Sequence, residues 1–279
     1  MSDSLLSILL GIVEGVTEFL PVSSTAHLRI CQRLLSIDLH DGFWKMFAVV
    51  IQLGAILALP VYFRERILKF LRSFPVGERG DGTVFTHPLS LTLAAFFVTA
   101  VPAFLLKKII GENLESLRVM GLALLIGGVV MWAVDALCRH PHVLKMEDMG
   151  LSHAVAVGAA QILSAVFPGT SRSMATIAAG QLCGLSREAA LEFSFFLSIP
   201  TMAVATGYDL LKTLKPGAGV ERLAMHAREW SLLGLGFAVS FVVALAVVAW
   251  FMHWVRRHGF VPFAIYRIAA GAAVLGWLA

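Results

Sequence analysis

The chain has 279 residues, 58% of them hydrophobic and 14% charged, with a mean hydropathy of +0.82. A soluble domain carries roughly 25% charged residues, so this composition excludes a soluble enzyme and predicts a polytopic membrane protein. A net charge of +4 spread over loops excludes a nucleic-acid surface and suits contact with membrane lipids.

Taken in order, the first apolar stretch, Leu5–Leu35, is interrupted by Glu14 and Glu18 and then by a polar break after Pro21. The first Lys or Arg is Arg29, so no cleavable signal is predicted. Crossing ~30 Å of hydrocarbon takes about 20 apolar residues. Six stretches meet or approach that length: Trp44–Phe63, Pro88–Leu106, Val119–Leu137, Ala189–Leu211, Trp230–Met252 and Phe260–Leu278. Charged loops such as Arg64–His87 and Lys212–Glu229 separate them. Leu5–Leu35 and Leu151–Cys183 each read as helix, polar break, helix, with halves too short to cross. Both are predicted as re-entrant hairpins, since non-helical backbone at membrane depth survives where protein or a wet cavity surrounds it. Lys and Arg divide almost evenly between the two faces, and the dense Arg64–Arg79 loop tilts its side towards the cytoplasm.

The two broken stretches are copies. At an offset of 147 residues, Gly11 meets Gly158, Glu14 meets Gln161, Pro21 meets Pro168 and Ser24 meets Ser171. The likeness continues from Phe47–Gly54 to Phe193–Pro200 and from Arg118–Gly127 to Arg267–Gly276. Each half, about 1–137 and 148–279, is therefore one hairpin plus three spans, and three crossings put the halves in opposite orientation. The expected fold is a single all-α membrane domain of two inverted repeats, with six transmembrane helices and two re-entrant hairpins. Such folds keep their site near the midplane between the repeats.

The two polar knots differ in chemistry. Glu14 and Glu18, at i and i+4, project from one helical face, as do Ser24 and His27 after the break. Two carboxylates in a membrane either hold a cation or share a proton, because each unpaired charge costs about 2.5–3.5 kcal/mol there. Oxygen ligands suit Mg²⁺ or Ca²⁺, not zinc; the bland alternative is a loop-solvated Glu pair. In the second knot, Pro168-Gly169-Thr170-Ser171-Arg172-Ser173, a helix starting after Pro-Gly offers free N–H groups and a positive dipole end. Thr170, Ser171 and Ser173 add hydroxyls, and Arg172 adds a forked donor for phosphate oxygens. The plain alternative is Ser as an N-cap with Arg172 snorkelling. No Gly-rich loop with Lys is present, which argues against nucleotide hydrolysis.

The motifs Glu14-Gly-Val-Thr-Glu18-Phe-Leu-Pro-Val-Ser-Ser-Thr-Ala-His27 and Pro168-Gly-Thr-Ser-Arg-Ser173 resemble the two signatures of the bacterial undecaprenyl pyrophosphate phosphatases of the bacitracin-resistance type. The resemblance runs over essentially the whole chain. It implies hydrolysis of undecaprenyl pyrophosphate to the monophosphate carrier lipid, in the inner membrane with the site facing the periplasm. It also implies Ser24 as nucleophile, His27 as base or orienting group, Glu14 and Glu18 as ligands of a divalent cation, and Thr25, Ser171 and Arg172 as phosphate contacts. Two positions depart from the family pattern: Met174 and Ala26 stand where Gly is usual. A positive φ at Met174 would be strained.

Other features predict less. Cys31, Cys138 and Cys183 are widely spaced and read as packing thiols. Cys138, His140 and His142 flank Pro141 in a loop and make a poor metal cluster. The GxxxG pairs Gly11/Gly15 and Gly180/Gly184 fit close packing beside the site, with a homodimer left open. The competing function is a flippase or secondary transporter of the carrier lipid, since inverted repeats with broken helices are the usual transporter build.

Overall fold

A computed structural model describes residues 2–38, 41–77, 80, 82–113, 116–214 and 226–278. Arg79 and residues 215–225 of the second charged loop lie outside the described set. Among the described residues the fold is all helix, with one isolated bridge between Val143 and Leu185.

The first broken stretch forms α1 (Asp3–Thr17) and α2 (Ser24–Leu34); the second forms α8 (Leu151–Val166) and α9 (Arg172–Leu182). At 1.5 Å per residue, 15 and 16 residues give α1 and α8 about 22 and 24 Å, short of the ~30 Å hydrocarbon core. Between them lie α3 (Gly42–Tyr62), α4 (Arg64–Ser73), α5 (Pro88–Leu105), α6 (Lys107–Asn113) and α7 (Leu117–Leu137). After α9 come α10 (Arg187–Leu214), α11 (Ala227–Val255) and α12 (Val261–Leu278). Five helices, α3, α5, α7, α10 and α11, are long and apolar enough to cross a membrane. The sixth expected span is α12, shorter and apolar, laid along α7. The loop expected at Arg64–His87 begins with a helix, α4, whose Arg66 pairs with Glu147 and Glu192 at 2.7 and 2.8 Å.

Packing is reciprocal between the halves. Helix α1 lies against α11 and α8 lies against α5; α3 meets α10 and α7 meets α12. The matched glycines explain the close approach. A Cβ on Gly11 would sit 2.9 Å from the Gly236 carbonyl oxygen of α11, and one on Gly158 2.5 Å from that of Ala95 on α5. Without a hydrophobic gain in lipid, such backbone proximity and the dispersion it brings are what hold helices together. The same geometry resolves the GxxxG pairs in favour of packing inside the chain, because Gly15 abuts Ser240 and Gly180 abuts Ala190. The first break is anchored by Phe19, fully buried edge-to-face on Phe195 of α10 at 5.5 Å.

Candidate active site

Each break ends in a left-handed serine. Ser23 (φ 74°) precedes α2 and Ser171 (φ 69°) precedes α9, with Gly169 (φ 97°) two residues earlier. For a residue with a Cβ this conformation costs on the order of 1–3 kcal/mol and persists only where packing over-determines it. The caps shift the sequence alignment by one: Ser23, not Ser24, is the counterpart of Ser171, because the step from the proline to the cap is one residue longer in the second break. Ser24 and Arg172 thereby occupy the same place, the first residue of α2 and of α9. Met174 lies inside α9 with no positive φ; the positive φ values fall on Gly169, which takes them without cost, and on Ser171.

The knots meet. Arg172 Nη2 donates to Glu18 Oε1 at 3.2 Å, and Ser173 Oγ donates to the Leu20 carbonyl at 3.0 Å. On its other oxygen, Glu18 Oε2 accepts the Ser24 hydroxyl at 2.5 Å. That length belongs to a hydroxyl–carboxylate bond, among the stronger hydrogen bonds in proteins. Ser171 Oγ caps α9 by accepting from Met174 N at 3.3 Å and lies 3.1 Å from Ser173 Oγ. Thr25 and Thr170 are half-buried beside these groups. The first N–H groups of α2 and α9 have no intrahelical partner, and both sets arise at the breaks. Arg172 Nη1 is buried and unpartnered.

Both ring nitrogens of His27 bond to groups other than the nucleophile candidate. Its Nδ1 lies 2.7 Å from the Ser23 carbonyl, which can only accept, so Nδ1 carries a proton. Its Nε2 lies 2.6 Å from the Tyr266 hydroxyl of α12, and the two rings stack at 5.5 Å. In the neutral ring Nε2 is the acceptor and Tyr266 the donor.

Two residues at the site carried no assigned role in the sequence. One is Tyr266. The other is Arg267, which is fully buried. Its Nη1 donates to the Pro21 carbonyl at 3.0 Å, and its Nη2 to those of Ala123, Gly169 and Thr170 at 3.0, 3.1 and 2.9 Å. One guanidinium thus ties both breaks and α7 together. Its signals in the sequence were its place in an apolar span and its match to Arg118 in the first repeat.

Glu14 is fully buried, and neither of its carboxylate oxygens has a hydrogen-bond partner. Its repeat counterpart Gln161 donates to Thr99 and Thr201 at 3.1 and 3.2 Å. No group of three His, Cys, Asp or Glu able to hold a metal occurs among the described residues, at Cys138–His142 or elsewhere. A cation here would therefore take Glu14 and Glu18 from the protein and its other ligands from phosphate and water. An orphaned carboxylate one turn from a second carboxylate fits that demand, since Mg²⁺ commonly uses one or two carboxylates plus phosphate.

The chain matches the family of the bacitracin resistance protein BacA over residues 7–273. It is 63% identical to the undecaprenyl-diphosphatase of Koribacter versatilis, with 99% of each chain covered. It is 45% identical to that of Novosphingobium aromaticivorans over 100% of this chain and 99% of the relative. The value is 40% for Caldanaerobacter subterraneus subsp. tengcongensis, over 96% and 93%.

Proposed function

The chain belongs to the bacitracin resistance protein BacA family, and we propose that its two knots act as one metal-assisted site for lipid pyrophosphate. The activity is that of an undecaprenyl-diphosphatase: undecaprenyl pyrophosphate and water give undecaprenyl phosphate and inorganic phosphate. The observation that carries the mechanism is Ser24 Oγ donating to Glu18 Oε2 at 2.5 Å while Arg172 holds the other oxygen.

In this reading Ser24 Oγ attacks the terminal phosphorus as its proton passes to Glu18. The bond to the bridging oxygen breaks, and undecaprenyl phosphate leaves with the bonding pair and the proton that Glu18 has just received, which returns Glu18 to its base form. Water then attacks the phosphoserine, gives a proton to Glu18, and Ser24 recovers its hydrogen as phosphate departs. Arg172 Nη1 and the N–H groups opening α2 and α9 receive the equatorial oxygens, where charge is spread in phosphoryl transfer. Tyr266 and the Ser23 carbonyl hold His27 in one tautomer at the edge of the site. Glu14 and Glu18 would hold Mg²⁺ or Ca²⁺, which when bound neutralises phosphate charge beside the two carboxylates. A transporter has no use for a hydroxyl held this close to a buried carboxylate.

We take the face bearing Arg64, Arg66, Lys69 and Arg72 as cytoplasmic by the positive-inside tendency, and, as the family resemblance implies, the site as opening to the periplasmic side of the inner membrane. The metal is tested by phosphate release from undecaprenyl pyrophosphate in detergent micelles. Chelator should silence the wild type, Mg²⁺ or Ca²⁺ should restore it, and Glu14→Gln should raise the metal concentration needed. Full activity of demonstrably metal-free protein would leave a proton shared by Glu14 and Glu18 as the better account.

A further inference from the structure

We propose that the groove between α7, α8 and α9 takes the head-proximal part of the substrate's polyprenyl chain. The groove encloses about 520 Å³, within the ~300–1,000 Å³ range of small-ligand pockets. Thr170 is its single hydroxyl side chain, and the rest of the lining is apolar. Ala160 of α8 and Ala178 and Ala179 of α9 line it with small side chains. Ile126, Leu163 and Leu182 stand along it, 57%, 53% and 66% exposed. Small residues let a hydrocarbon chain approach the helix backbones closely, where many weak dispersion contacts add up.

Continuity with the site names the occupant. The inner end of the groove is Thr170 and Met174, which bracket Ser171 and Arg172 in sequence. Thr170 also gives its carbonyl to Arg267, and Met174 its N–H to Ser171. A pyrophosphate at Arg172 carries a long apolar chain that has no partner in the polar breaks. This slot begins where the phosphates end and runs along α9 to Leu182, about 16 Å at 1.5 Å per residue. An ordinary bilayer lipid could fill the slot but would have no reason to couple to turnover.

The inference rests on the pyrophosphatase reading, so the test compares chain lengths on one enzyme. Ala179→Phe, and independently Ala160→Phe on the opposite wall, would fill the outer groove. Turnover of undecaprenyl pyrophosphate and of ten-carbon geranyl pyrophosphate would be measured in detergent, with thermal melting to confirm folding. The expected result is a fall of about tenfold or more in kcat/KM for the long substrate, with the short one nearly unchanged. Val242→Phe, at an exposed position of α11 outside the groove, should leave both alone. Equal losses on both substrates, or an unaffected long substrate in both groove variants, would overturn the assignment. Wild-type protein that released phosphate from neither substrate would instead remove the pyrophosphatase reading beneath it.

Discussion

Replacing Glu18 by Gln separates the tasks of that carboxylate. Its two oxygens have different clients: Oε1 accepts from Arg172 at 3.2 Å and Oε2 from Ser24 at 2.5 Å. An amide offers one acceptor and one donor group. Turning its NH₂ to Arg172 sets donor against donor beside a buried cation, so the carbonyl keeps Arg172 and the NH₂ faces Ser24. The serine must then accept instead of donate, and its proton has no base to go to. The phosphate clamp survives while general-base catalysis is lost, a term worth about 10²–10⁴-fold, or roughly 3–5 kcal/mol at 1.36 kcal/mol per decade. Steady-state phosphate release from undecaprenyl pyrophosphate, at saturating Mg²⁺ or Ca²⁺ because Glu18 would also hold the cation, should show that loss in kcat with KM moved only a few-fold. A Glu18→Gln protein within about tenfold of wild type in kcat would refute the base role.

Three further outcomes follow from the geometry. Arg172→Lys keeps the charge but cannot span Glu18 and the substrate together, so kcat/KM should drop more than about tenfold; near-normal turnover would remove the clamp. Arg267→Met strips donors from four backbone carbonyls, and at about 1–3 kcal/mol per buried group left unsatisfied the loss should reach on the order of 3 kcal/mol. An unchanged melting temperature in detergent would contradict the tie between the breaks. At the membrane face, burial pushes the Glu147 carboxyl up, but the Arg66 hydrogen bond and the Arg66 and Lys145 charges hold it below its ordinary 4.5. A lowered folded value stabilises above the ordinary one and fades as pH falls through the folded one. Wild type should therefore out-melt Glu147→Gln at neutral pH and converge with it in acid; a gap that persists in strong acid would count against the pair.

The local part of this protein was legible in the residues themselves. Apolar runs of membrane length, prolines ending short helices, and carboxylates four apart on one turn are statements about neighbours in the chain, where periodicity and sterics act directly. The paired breaks at Pro21 and Pro168 and the segregation of Glu14 and Glu18 from Arg172 needed nothing more. Even so, the true pairing of Ser23 with Ser171 was hidden, because one extra residue between the proline and the cap changes the register without disturbing the apolar pattern on either side. What tertiary structure alone decided was who touches whom across the halves. Glu18 finds Arg172 across 154 positions, and His27 finds Tyr266 across 239. Arg267 reaches Pro21 across 246. A lone tyrosine and arginine in an apolar helix carry no periodic mark of their partners. Their roles arise only when α12 packs along α7 and a buried guanidinium must find carbonyls, which the two breaks, having no helical bonds to make, leave free to accept.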